Sequence, residues 1–225
     1  MKKKNLVILL VIFATLLLTG CPPSHMPEPC EHDNYLYGKW KGTTDVSDEI
    51  LDENSSSSYG EYMELPQLPL VIYVEFTEDM VYVSVDPVSV ENIIDMETEA
   101  KVKAIEKDVQ SAAERCGVTL EEYARNAGYA SAEEYLSVKC NPEEIRKNLT
   151  EYYSDIFVEA IEVDAEYVYH CYCENMLDNI YGSFTILPAE EDERYCRYEI
   201  TDERLAFEYE LEKMTLNFEC ERVEE

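Results

Sequence analysis

The chain has 225 residues, 46% of them hydrophobic, and its 49 acidic and 18 basic residues give a formal charge of −31 at neutral pH. The apolar fraction and 18 tyrosines argue against a disordered chain, and the length suffices for one domain with a sizeable core. So acidic a body repels nucleic acid and anionic lipid surfaces, which excludes both as partners of the folded part.

At the N-terminus "MKKK" is followed by an apolar run from Leu6 to Leu18, broken only by Thr15, and then by "LTGC". Basic, apolar, then small is the order of an export signal, and the run is well short of the roughly 20 residues a spanning helix needs. Leu18, Thr19, Gly20 and Cys21 resemble the lipobox of bacterial lipoproteins. That resemblance implies cleavage before Cys21, a diacylglyceryl thioether on its sulfur and usually a third acyl chain on its amine, enough for stable anchoring to a bilayer. Residues 1–20 are therefore expected to be a signal peptide. Residues 21–34, proline-rich and aperiodic, would be a lipid-anchored stalk that holds a domain over 35–225 on the outer membrane or cell surface. Losing residues 1–20 removes Lys2, Lys3 and Lys4 and no acid, so the mature chain is more acidic still.

Leu36 to Thr44 alternates with period two and predicts a first strand. Asp45 to about Met63 reads as a solvated acidic loop; its acids lack the spacing and central glycine of a calcium-binding EF-hand. Leu70 to Phe76 predicts the next strand. One pattern then returns three times, as "VEFTEDMVYVSV" at 74–85, "IEVDAEYVYHCY" at 161–172 and "YEITDERLAFEY" at 198–209, each read as a β-hairpin corner. Ile180 to Leu187 adds a strand, and the polar pair Glu212 and Lys213 marks one more hairpin. The expected fold is mainly β with an α insertion: an antiparallel meander of about eight to ten strands, closed into a barrel because closure removes exposed edges. Closure requires an even number, and Tyr59 to Leu65 is the spare candidate.

Between 89 and 156 the period becomes helical, predicting a subdomain of about four helices. Val102, Ile105, Val109, Ala112 and Cys116 form one apolar stripe on a helix that Gly117 ends. Thr119 with Glu122, and Ser131 with Glu134, are capping boxes for two short helices that repeat Glu-Glu-Tyr. Asn141 and Pro142 start a fourth, with Ile145, Leu149, Tyr152 and Ile156 on its apolar face. The loop after the first strand and this insertion are expected at one end of the barrel, as a mobile lid or as a rigid second layer.

"YGKWKG" at the opening strand resembles the start of the lipocalin and fatty-acid-binding-protein superfamily, and more closely the lipocalin-like domains of bacterial lipoproteins. The resemblance covers roughly 36–44, 69–87 and 157–221. It implies that Gly38 allows close passage of the chain and that Trp40 plugs the closed end of the barrel. The helical insertion departs from that family, which has short hairpins there.

Of the eight cysteines, seven remain if Cys21 is lipidated. Cys116 and Cys140 end two helices and are candidates for a disulfide in an oxidising compartment, whereas the connectivity of Cys30, Cys171, Cys173, Cys196 and Cys220 is open. His25 and His32 lie in the stalk, leaving His170 as the only histidine of the body. Strand alternation puts Val168, His170 and Tyr172 on the inner face and Tyr167, Tyr169, Cys171 and Cys173 on the other, so "YHCYC" is read as a strand and not as a metal site. No nucleophile-elbow, phosphate-loop or zinc-protease motif occurs, and with so many acids a close carboxylate pair marks nothing. No catalytic residue, metal or cofactor is assigned, and the reading is not an enzyme.

Three functions follow. The leading one is an envelope interaction lipoprotein that binds a cationic protein through its acidic body. The second is a carrier of a small apolar ligand, with Val81, Val83, His170, Leu205, Phe207 and Tyr209 lining a cavity. The third is an inhibitor of a basic enzyme such as a lysozyme, although the serine-glycine loop by which such inhibitors enter an active site is not visible.

Overall fold

The computed structural model describes residues 37–157, 160–164, 168–173, 179–186, 194–201, 203–210 and 215–224. Nine strands form one sheet: β1 (Gly38–Asp45), β2 (Pro69–Phe76), β3 (Met80–Val85), β4 (Ala160–Asp164), β5 (Tyr169–Cys173), β6 (Asn179–Ile186), β7 (Arg194–Ile200), β8 (Arg204–Glu210) and β9 (Thr215–Arg222). Their order is β4-β3-β2-β1-β9-β8-β7-β6-β5, and every pairing is antiparallel. Alternation does what period two predicts: along β2 Leu70, Ile72, Val74 and Phe76 are buried, and along β9 Leu216, Phe218 and Cys220.

Two of the three expected hairpin corners form, and they close alike. Thr77 N–H donates to the Met80 carbonyl at 2.9 Å while Met80 N–H donates to the Thr77 hydroxyl at 3.0 Å. Thr201 and Arg204 repeat both bonds at 2.8 and 3.1 Å. The third corner is a correction. Asp164 holds the place of those threonines. β4 and β5 are the two ends of the sheet order and do not pair with each other among the described residues.

That failure also overturns the closed barrel. Eight antiparallel steps separate β4 from β5 along the sheet, so the two edge strands run in the same sense. A parallel ladder between them would need a crossover of about a dozen residues, and only residues 165–168 intervene. Such a link spans at most about 18 Å, whereas a flat sheet would hold its outer strands about 38 Å apart. The sheet must therefore curl, and β4 comes to lie against β6. The result is a curled antiparallel sheet, open where β4 meets β5.

All the helices connect strands at one end of this sheet. Residues 46–68 leave β1 and return to β2 not as a loop, as expected, but as α1 (Ser47–Asn54) and a 3-10 turn (Gly60–Tyr62). Ile50 and Asn54 are buried. Tyr59 to Leu65, the spare strand candidate, contains that turn instead. Between β3 and β4 lie α2 (Pro87–Arg115), α3 (Leu120–Asn126), α4 (Ala132–Lys139) and α5 (Pro142–Ile156), the four expected helices of the insertion. The capping box Thr119 and Glu122 is complete; in the second, Ser131 accepts from Glu134 N–H while Glu134 turns to Ala130 N–H at 2.7 Å. Gly117, at φ +70°, ends α2 in a Schellman motif, with Val118 N–H on the Ala113 carbonyl and Gly117 N–H on that of Glu114.

The apolar stripe of α2 differs from the expected one. Ile93, Ile94, Ala100 and Ala104 join the sheet core, whereas Val102 and Ile105 are half-buried and Cys116 is exposed. The long helix serves two cores: its N-terminal half lies on the sheet, and Val109 packs with Ala124 and Tyr135 under α3 and α4. Small alanines let helix and sheet approach closely, and a pattern of large residues misses them. Leu149 and Tyr153 from α5, with Phe157 just after it, complete the main core, and Arg146 bonds Glu91 and Asp95 across to α2.

Candidate functional site

At the helical end, Asp45 Oδ1 accepts backbone N–H bonds from Leu68 at 2.9 Å and Ser47 at 3.1 Å, pinning both ends of the α1 excursion. The Leu68 bond in particular holds the Asp45 carboxyl below its usual pKa, outweighing the burial that opposes it. α1 is thereby set against α2 and α5, and its last residue, Asn54, is buried between them.

There the chain buries a carboxylate. Glu97, 2% exposed, accepts from Tyr153 hydroxyl at 2.5 Å on Oε2, and from Lys101 at 2.9 Å and Asn54 at 3.4 Å on Oε1. Asn54 is held in turn, donating to the Ile50 carbonyl at 2.8 Å and accepting from Tyr59 hydroxyl at 3.3 Å. Burial first, then the neighbouring Glu97 charge, push the Tyr153 phenol far up, so it stays a donor at any physiological pH. Every buried polar atom of this network named above has a partner, which a low-dielectric site requires.

In front of the network opens a cleft of about 320 Å³. Glu97, Lys101 and Asn54 border it on the polar side, with Tyr59, Ile105, Ile145, Leu149 and Tyr152 as apolar surface and Glu53 and Asn148 at the rim. Tyr152 hydroxyl donates to Glu53 across the mouth. A second cleft of about 490 Å³ lies between the start of α2 and the end of α5, lined mainly by Val85, Val90, Ile94, Tyr153 and Phe157. The first combines volume with convergent polar groups, the usual mark of a ligand site.

At the opposite end, Trp40 is fully buried and the Arg222 guanidinium lies 4.3 Å from its ring centre. Arg222 also donates to the Tyr37 carbonyl at 2.7 Å. Gly38, at φ +136°, is required here: a Cβ on it would lie 2.5 Å from the Arg222 Nη1. Gly38 and Trp40 thus share one arrangement with an arginine that sequence reasoning missed. Its signal was parity: Arg222 follows Leu216, Phe218 and Cys220 at every second position, an arginine in an inward row.

The other expected residues fall as follows. Val81, Val83, Leu205, Phe207 and Tyr209 are each at most 2% exposed and belong to one continuous core with Trp40 and the helices. His170 lies on β5, in register with Gly182, Tyr198, Phe207 and Phe218; its side chain is outside the described residues. Cys171 falls in the alternate row, with Tyr181, Glu199, Ala206 and Glu219, whereas Cys220 shares the row of Leu205 and Gly42. Cys116 is an exposed free thiol and Cys140 a buried one, so the disulfide expected between them is not formed. Cys196 and Cys220 are buried free thiols. Cys21, Cys30 and residues 1–36 as a whole are outside the described residues.

Among the described residues, no group of three His, Cys, Asp or Glu could hold a metal ion, and no helix is long and apolar enough to cross a membrane. Compared with models of known families, with curated proteins and with solved structures, the chain matches none.

Proposed function

We propose that this is a lipid-anchored, non-enzymatic protein of the bacterial envelope, with a lipocalin-like sheet, whose acidic body binds a cationic protein. The observation that supports it is the fusion of the two layers. Ile93, Ile94, Ala104, Leu149 and Tyr153 of the helices share one core with Leu70, Ile72 and Val83 of the sheet. A helical layer held this way is a rigid face rather than a lid over an internal cavity, on a chain whose 49 acidic residues far outnumber its 18 basic ones. Long-range attraction then selects basic partners and speeds their encounter.

The test is binding of the immobilised chain to basic and acidic proteins of matched size while salt is raised. Basic partners should bind and be released by moderate salt. Indifference to partner charge, or retention of an apolar molecule through purification in native mass spectrometry, overturns the reading. The anchor is tested separately: Cys21→Ser should abolish fatty-acid labelling and release the chain from membranes.

A further inference from the structure

We propose that the cleft in front of Glu97 binds a neutral, polyhydroxylated ligand about one sugar ring in size, a function beyond protein binding and independent of it. Charge decides the first part. On the polar side Lys101 and Glu97 neutralise each other at 2.9 Å, and the remaining charge, Glu53, is exposed at the rim. An anion entering the cleft meets two carboxylates against one ammonium. A cation must give up its water to reach Glu97, which Lys101 already neutralises. A neutral ligand avoids both costs.

Hydrogen-bonding capacity decides the second part. Bonding to Glu97 engages one of the three N–H donors of Lys101. Asn148 makes no side-chain hydrogen bond among the described residues, so its amide offers both donor and acceptor at the rim. Hydroxyl groups donate and accept at once and can serve all of these groups. A hydrocarbon would take water from the remaining Lys101 donors and the Asn148 amide and give nothing in return.

Shape supplies the rest. Tyr59 and Tyr152 line the same cleft as that polar side, together with Ile105, Ile145 and Leu149. A sugar ring has a polar rim and apolar C–H faces, and so satisfies donors and aromatic surface together. The volume of about 320 Å³ lies at the small end for ligand pockets and suits one ring rather than a long chain. The polar side is preorganised, since Tyr153 from behind and Asn54 from beside it hold Glu97 before any ligand arrives.

The experiment is a chemical-shift titration of the full chain with four probes of one size: glucose and N-acetylglucosamine, which are neutral, glucosamine, a cation, and glucuronate, an anion. A neutral sugar should bind in the millimolar range, with shifts concentrated at residues 53–59, 97–105 and 145–152, and at least about tenfold more tightly than the charged pair. Asn148→Ala, an exposed change that leaves the fold intact, should weaken it by about fivefold to tenfold. Lys101→Met should do the same where thermal unfolding shows that it still folds. No binding of either neutral sugar below roughly 100 mM, equal binding of a charged analogue, or an Asn148→Ala variant that binds unchanged would overturn the proposal.

Discussion

The guanidinium carbon of Arg222 lies over the chain's single tryptophan, 4.3 Å from the centre of the Trp40 ring, and joins the last strand to the first. A cation over a desolvated indole contributes about 2 kcal/mol, and here the same arginine also bonds the Tyr37 carbonyl. Arg222→Ala should therefore lower stability by about 2 kcal/mol and shift the emission of Trp40, the only such fluorophore. Arg222→Lys should recover less than half of that, because an ammonium does not stack as a planar guanidinium does. Gly38→Ala should act in the same direction by about 1–3 kcal/mol, through its positive φ and the contact with Arg222. Unchanged urea midpoints and emission in both variants would show that the contact contributes nothing.

Glu97 makes a stronger claim on the fold. Removing one partner of a buried ion pair costs about 3–5 kcal/mol, because it leaves the other charge uncompensated. Glu97→Ala strips the partner from Lys101 and from the Tyr153 hydroxyl, and should fall in that range. Tyr153→Phe deletes a single bond to the carboxylate and should cost about 1–3 kcal/mol. Because the two side chains meet directly, the double variant should be less destabilised than the sum of the singles. Strict additivity in chemical denaturation would break the network assigned here.

What the sequence disclosed, and what it hid, divides along local and tertiary lines. Strands with clean alternation, the Thr119 and Asn141 caps and the Gly117 stop are encoded within a few residues of themselves, and all form as expected. The false hairpin at 161–172 shows how far a pattern can mislead. Its alternation resembles the other two, and the differences are small: Asp164 for a threonine, Ala165 for an acid and His170 for an apolar residue. α1 was hidden because one buried isoleucine and an asparagine are too little pattern for a helix; Asp45 and the Glu97 network hold it from outside. The cleft was illegible for the same reason, since Glu53, Glu97 and Asn148 come from three helices and look like any other surface residues in so acidic a chain.

The four described cysteine side chains should differ sharply in reactivity. Burial pushes the Cys140 thiol up to about 11 and the Cys220 thiol up to about 12, and raises that of Cys196 as well. At pH 8 such groups are both inaccessible and protonated, and the thiolate is the species that reacts. Iodoacetamide on the native protein should modify exposed Cys116 quickly and leave Cys140, Cys196 and Cys220 until the chain is denatured. Peptide mapping reads the result. A peptide joining Cys116 to Cys140 would restore the disulfide and contradict the free thiols.

Asp45 gives the fold a dependence on acid whose sign is fixed. Its folded pKa is lowered, chiefly by the Leu68 N–H bond and further by that of Ser47. A group of that kind stabilises fully above its unfolded value, about 3.9, and loses its contribution as pH falls through the lower folded value. With 48 other acids the self-repulsion of the chain also depends on pH, so the absolute stability is a poor readout. The difference between the native chain and Asp45→Ala removes that background. At neutral pH the gap should be about 1–2 kcal/mol, the loss of two backbone donors' shared acceptor. It should hold steady down to about pH 5 and shrink below about pH 4, once the carboxyl protonates in both states. Urea denaturation of the pair at half-unit pH steps measures it. A gap that widens in acid would mean that the carboxylate is not what ties α1 to the start of β2.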